Sequence, residues 1–257
     1  MTTALILAGT RPGGDPLANE LGVAHKSLIE VAGATILQRA IVALKSSSVD
    51  QIVVSADNTE VCKIAESLGA RIIAPETGPS ASVASAFEAS GAPMLVTTSD
   101  HALLRAEWVD ELIANTPEDA DLSLMLAEKH LVEAALPGSR RTYLRFADGH
   151  WSGCNLFYLR TPLAMRAIET WSHVEQHRKR PWRIAARLGF GTLVSLFMGR
   201  LTLSDGIAKL GARMGLKATL VPASDGLAAV DVDKIEDLRT VEALIEAQNL
   251  GTSAPKN

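Results

Sequence analysis

The sequence predicts a single α/β domain built on a mainly parallel β-sheet. Three observations carry that expectation. Strand and helix patterns alternate along most of the chain. A chain of 257 residues, 47% of them hydrophobic, suffices for one large core. A loop rich in glycine follows the first apolar run directly. Alternation of this kind means βαβ units with right-handed crossovers, and ligands of such sheets sit beyond the carboxyl ends of the strands. The domain is expected over residues 1–250, with a basic and apolar helical insertion at about 170–216 and a polar, disordered tail at 251–257.

The first strand is Ala4-Leu5-Ile6-Leu7, running through Ala8 into Gly9. Thr10-Arg11-Pro12-Gly13-Gly14 is too rich in Gly and Pro to be helix. Glycine lets the backbone come close to a ligand, and exposed N–H groups with Arg11 and Lys26 offer fixed donors and two cations to a polyphosphate. The same residues also suit a plain strand-to-helix turn with two solvated basic side chains. Two familiar phosphate loops do not apply. His25, not glycine, precedes Lys26-Ser27, and Gly9, Gly13 and Gly14 miss the dinucleotide spacing.

Further along, Ile36, Leu37, Ala40, Ile41 and Leu44 recur at helical spacing within 35–46. A strand is expected over 51–55, a helix over 60–68 stopped by Gly69, and a strand over 71–74. Gly78, Ser80 and Ser82 open the next helix and suit its cap. The apolar run Met94–Thr98 then delivers Ser99-Asp100-His101-Ala102-Leu103-Leu104. Asp100 suits the N-cap of a helix carrying Trp108, and equally a Mg²⁺ site beside a phosphate loop, since Mg²⁺ takes hard oxygen donors. Strands follow over 122–127 and 153–159, with a turn at 147–150 between. Arg140, Arg141 and Arg145 suit a charged sheet edge or the phosphate of a second substrate. A helix over 204–214 and a strand over 217–221 lead to Val230-Asp231-Val232-Asp233, where two alternate acids share one side. Asp233 also suits the cap of the last helix, with Glu236 completing a capping box.

Taken together, Leu7-Ala8-Gly9-Thr10-Arg11 followed by His25-Lys26-Ser27-Leu28-Ile29-Glu30-Val31-Ala32-Gly33 resembles the opening signature of the MobA-like NTP transferases. Many members carry a longer first loop. Asp100-His101-Ala102-Leu103-Leu104 is similar to their Asp-x-Pro-Leu-Leu, with Ala102 in place of proline. Gly153-Cys154-Asn155 resembles their Gly-x-Asn strand, and Asp231-Val232-Asp233 their closing acids. The resemblance implies a Rossmann-like three-layer α/β/α sandwich of the nucleotide-diphospho-sugar transferase type. It further implies NTP phosphates on the first loop and Lys26, a base or ribose against Gly78 and Ser82, and Mg²⁺ on Asp100 and Asp233, with Asp231 next. Asn155 would line the acceptor side. The implied reaction moves an NMP group from CTP or GTP to a phosphorylated small molecule or lipid precursor, releasing pyrophosphate.

Composition narrows the alternatives. A net charge of −4 gives no basic field for nucleic acid. Cys62 and Cys154, far apart and without a C-x-x-C, suit free thiols in a reducing cytoplasm, and the N-terminal run has no basic flank of a signal peptide. The insertion pairs Arg178, Lys179, Arg180 and Arg183 with Trp182, then turns apolar. That pattern suits peripheral contact of 173–200 with anionic head groups at the inner membrane face. It equally suits a helical subdomain on the sheet, or a homodimer interface. Two rival functions are a non-catalytic membrane- or partner-binding regulator on a degenerate transferase core, and a GT-A glycosyltransferase. The latter would place its D-x-D on a central strand, whereas Asp231-Val232-Asp233 lies near the end of the chain.

Overall fold

The computed structural model describes residues 1–10, 13–138, 141–176, 195 and 198–252. Parallel strands β1 (Thr3–Leu7), β4 (Gln51–Ser55), β5 (Arg71–Ile73) and β6 (Met94–Thr98) form one half of the central sheet. Strands β7 (Leu122–Glu128) and β10 (Ala218–Pro222) run in the same direction in the other half. Between the halves lies β9 (Gly149–Leu159), antiparallel to both β6 and β7, so the order is β10-β7-β9-β6-β1-β4-β5. Short β8 (Leu144–Phe146) pairs with the start of β9. A separate hairpin joins β2 (Glu30–Val31) to β3 (Ala34–Thr35).

Period-two alternation sends side chains to both faces of the sheet, and both faces are covered. Ala4, Ile6, Val54 and Leu95 point into one core with Leu37, Ile41, Trp108, Leu112 and Val241. These come from α2 (Ile36–Lys45), α5 (Ala106–Ala114) and α9 (Ile235–Thr252); α1 (Pro16–Leu21), α3 (Thr59–Ser67) and α6 (Lys129–Ala135) lie on the same side. Leu5, Val53, Met94 and Val96 face the opposite way, towards α4 (Pro79–Ser90), α7 (Met165–Gln176) and α8 (Leu203–Met214). The result is a three-layer α/β/α sandwich.

Several ends are set by local chemistry. Thr35 and Gln38 form a reciprocal capping box that starts α2, and Asp15 accepts from Leu17 N and Ala18 N to start α1. The expected helix over 204–214 is α8, and it packs on β10 so closely that a Cβ on Gly211 would lie 2.7 Å from Ala218 N. Most of the basic segment, 177–194 with 196–197, lies outside the described residues, as does 253–257 of the expected tail. The last helix itself runs through Thr252. Among the described residues no helix is long and apolar enough to cross a membrane. Cys62 and Cys154 are both free thiols, the second buried.

Candidate functional site

Three strand ends build the site. Ala8 N donates to Ser55 O at the end of β4, and Ser99 N donates to Leu7 O, so the first loop leaves the sheet between its neighbours. Gly9 then passes against Pro75, where a Cβ would sit 3.0 Å from the proline Cβ. Thr10 fixes the loop by donating both N–H and Oγ1 to Asp57 Oδ1, at 3.1 and 2.6 Å. Burial alone would raise the Asp57 carboxyl, but these two donors hold it below the usual range. Leu7, Ala8, Gly9 and Thr10 follow one another from the strand into this loop, and Arg11 lies outside the described residues.

Lys26 stands on a 3₁₀ turn over Lys26–Leu28 that His25 caps by accepting from Ser27 N at 3.1 Å. Ser27 Oγ donates to Ser99 Oγ at 2.7 Å, tying this turn to the segment after β6. The lysine is only 7% exposed. Its Nζ reaches Asp100 Oδ2 at 2.9 Å and Asp233 Oδ1 at 2.5 Å, bridging contacts 74 and 207 residues distant in sequence. Burial would lower the Lys26 pKa; the two carboxylates outweigh it and raise the pKa, so the ammonium stays charged. Burial likewise pushes Asp100 up, and its neighbours, the charge of Lys26 first among them, more than reverse it, leaving that carboxyl ionised.

Asp100 is not a helix cap: α5 begins at Ala106, with Arg105 in the cap position. Asp100 O instead accepts from Val232 N at 3.1 Å, which aligns the segment after β6 with the one bearing the closing acids. Nor does Glu236 close a capping box at α9. Asp237 Oδ2 accepts from Asp233 N and Lys234 N, leaving the Asp233 side chain, 52% exposed, facing Lys26.

Asp231 points to a neighbouring group of side chains. One of its oxygens pairs with Arg141 and the other accepts from Asn155 Nδ2 at 3.1 Å. Asn155 holds φ at +51° in the left-handed region, beside a register shift between β7 and β9 at Met125/Leu126. Asparagine tolerates that backbone better than most residues. Burial raises the Asp231 carboxyl against the pull of Arg141, and Asp233 and Asp100 push the same way as burial. Gly78 and Ser82 lie past β5: Ser82 Oγ accepts from Glu76 N at 2.9 Å and donates to Gly78 O at 3.0 Å. In this structure the hydroxyl therefore shapes the loop at the start of α4.

The donor set suits a hard divalent cation. Asp100 Oδ1 is buried with no hydrogen-bond partner. Two cations, Lys26 and Arg141, face three carboxylates, Asp100, Asp231 and Asp233, leaving an excess of negative charge. Among the described residues no three His, Cys, Asp or Glu side chains gather into a complete metal cage. Mg²⁺ is usually held by one or two carboxylates, with phosphates and water supplying the rest.

Sequence reasoning left two contributors unassigned. Arg141 carried no local signal separating an edge charge from a site residue. Asp57 was findable in principle, because it follows β4 at the carboxyl end where ligands of such sheets bind. A cavity of about 460 Å³ bordered by Asp121, Lys217 and Ala208 lies at the amino ends of β7 and β10, away from these groups.

Comparison with known proteins bears on the fold and the family. The structure resembles a hypothetical transferase from Thermus thermophilus, 27% identical, with a TM-score of 0.79 over 92% of this chain and 98% of that one. It also shares its fold with a CMP:2-keto-3-deoxy-manno-octonic acid synthetase complexed with CTP (14% identity, TM-score 0.59, 96% and 99% covered). The 4-diphosphocytidyl-2C-methyl-D-erythritol synthase of Anaerococcus prevotii is a third (12%, 0.60, 96% and 96%). A search of the curated proteins finds no match. The model of the MobA-like NTP transferase domain matches residues 4–180, more than half of the chain; the chain belongs to the MobA-like NTP transferase family.

Proposed function

We propose that this nucleotidyltransferase moves an NMP group from CTP or GTP to a phosphorylated small molecule or lipid precursor, in the cytoplasm, with Mg²⁺. The observation that carries the reading is the buried Lys26 ammonium set between Asp100 and Asp233. The acceptor's phosphate oxygen would attack the α-phosphorus in line; the bond from that phosphorus to the bridging oxygen breaks, and pyrophosphate leaves with the electron pair. Such a nucleophile is already an anion, so no general base is required, and positioning with charge neutralisation supplies the rate. Of residues 8–10 the Gly9 N–H would meet a phosphate, since Ser55 O and Asp57 already take those of Ala8 and Thr10, and Lys26, turning from the carboxylates, would offset charge on the departing pyrophosphate. Asp100 and Asp233 would hold the Mg²⁺, which would supply positive charge to the phosphates. Asn155 would steady the acceptor. The basic segment within 173–200 would bring the enzyme to anionic head groups when the acceptor is a lipid precursor.

Thermal unfolding with each common NTP, with and without Mg²⁺, tests the nucleotide half. One NTP should raise the midpoint clearly, and CTP is placed ahead of GTP. Asp100→Ala should fold, by circular dichroism, yet release pyrophosphate about a hundredfold or more slowly with the true acceptor. Near-normal turnover in that variant would remove Asp100 from the mechanism.

A further inference from the structure

Arg141 enters the molecule between α6 and β8 and turns inward, with its side chain 14% exposed. One terminal nitrogen pairs with Asp231. Its Nε is buried and has no hydrogen-bond partner, and neither has the buried Oη of Tyr143, two residues along. A guanidinium presents its donors as a rigid fork. A buried donor left unmet is costly, so the Arg141 Nε points to an absent partner with acceptor oxygens. Asp231 does not meet the Nε: its two oxygens take the Arg141 terminal nitrogen and Asn155 Nδ2.

Position supplies the second argument. Asp231 lies two residues before Asp233, and the charges of Asp100, Asp233 and Arg141 all act on it. The site therefore has a cation at each end, Lys26 and Arg141, with three carboxylates between them. A triphosphate held at the Lys26 end leaves Arg141 facing the second substrate across the reacting atoms.

We infer that Arg141, clamped by Asp231 and flanked by Asn155 and Tyr143, anchors an oxyanion of the acceptor, a phosphomonoester or a carboxylate, and so decides which acceptors reach the nucleotide. This rests on the transferase reading, and the test separates the two. Methyl phosphate and acetate are titrated separately into protein saturated with an α,β-methylene NTP analogue and Mg²⁺, following the thermal unfolding midpoint. One of them should bind saturably, and which one does so identifies the acceptor's anion. Arg141→Gln should bind it about tenfold or more weakly, the loss expected for a charge-assisted hydrogen bond, while nucleotide affinity stays within about twofold. Arg141→Lys, keeping charge but not the fork, should fall between. If Arg141→Gln does not fold, the lysine variant decides, and unchanged affinity there overturns the inference. Equal affinity in Arg141→Gln, or no binding of either anion by the wild type, overturns it too. If no nucleotide binds, the transferase reading fails by itself, and the same titrations on nucleotide-free protein still judge Arg141.

Discussion

Lys26 occupies the space between the two aspartates that a metal ion would share, and its contacts to them make it the counter-ion of the nucleotide-free protein. Removing one partner of a buried pair leaves uncompensated charge, at a cost of about 3–5 kcal/mol. Lys26→Met should therefore unfold at a lower temperature than the wild type. It should also respond differently to metal. With the ammonium gone, Asp100 and Asp233 are free to take Mg²⁺, so millimolar Mg²⁺ without nucleotide should raise the midpoint of Lys26→Met more than that of the wild type. Equal responses in the two proteins would detach these aspartates from metal binding. The same residue shows where a sequence stops: a lysine after a glycine-rich loop raises the expectation of a phosphate contact, whereas its hold on two distant carboxylates is a property of the folded chain.

At the scale of elements, the closing acids depend on a 3₁₀ turn over Gly226–Ala229. Asp225 starts it, accepting from Leu227 N at 2.8 Å while its other oxygen meets Arg105 at 3.3 Å. The turn lies so close to α6 that a Cβ on Gly226 would sit 2.3 Å from the Leu131 carbonyl carbon. Backbone cannot yield as a flexible side chain does, so Gly226→Ala should cost about 2–3 kcal/mol through overpacking. Urea unfolding should show a lower midpoint with an unchanged slope. Which elements could be read from sequence follows from the same physics. Strands β1, β4, β5 and β6 announce themselves as apolar runs between amphipathic helices. Strand β9 does not reveal its direction, because a buried apolar run looks alike read either way; its reversal is fixed only by pairing with β6 and β7. Arg141 was equally opaque, since its partner Asp231 lies 90 residues on.

For the whole molecule, the site joins the two halves of the sheet: Lys26 comes from the β1 side and the closing acids from the segment after β10. His101, next to Asp100, is 1% exposed and stacked on Trp108 at 5.8 Å between centroids. Burial lowers its pKa to about 4; Asp100 pulls it up and Arg141 pulls it further down. The unfolded chain takes up this proton near pH ~6.5, the native one only near 4. Between those values the unfolded state binds more protons, so stability falls as pH falls, by up to ~1.4 kcal/mol per unit and about 3 kcal/mol in all. Buried His25, also lowered by burial, acts in the same sense. Asp100, held below the usual carboxylate range, loses its contribution only at lower pH, and Asp231, raised, works in the opposite direction. His101→Phe keeps a ring against Trp108 and removes the titration, so its unfolding midpoint should drop less than the wild type's between pH 7.5 and 5. Equal drops would assign acid sensitivity in that window to His25 and the carboxylates, and would leave His101 as a packing residue alone.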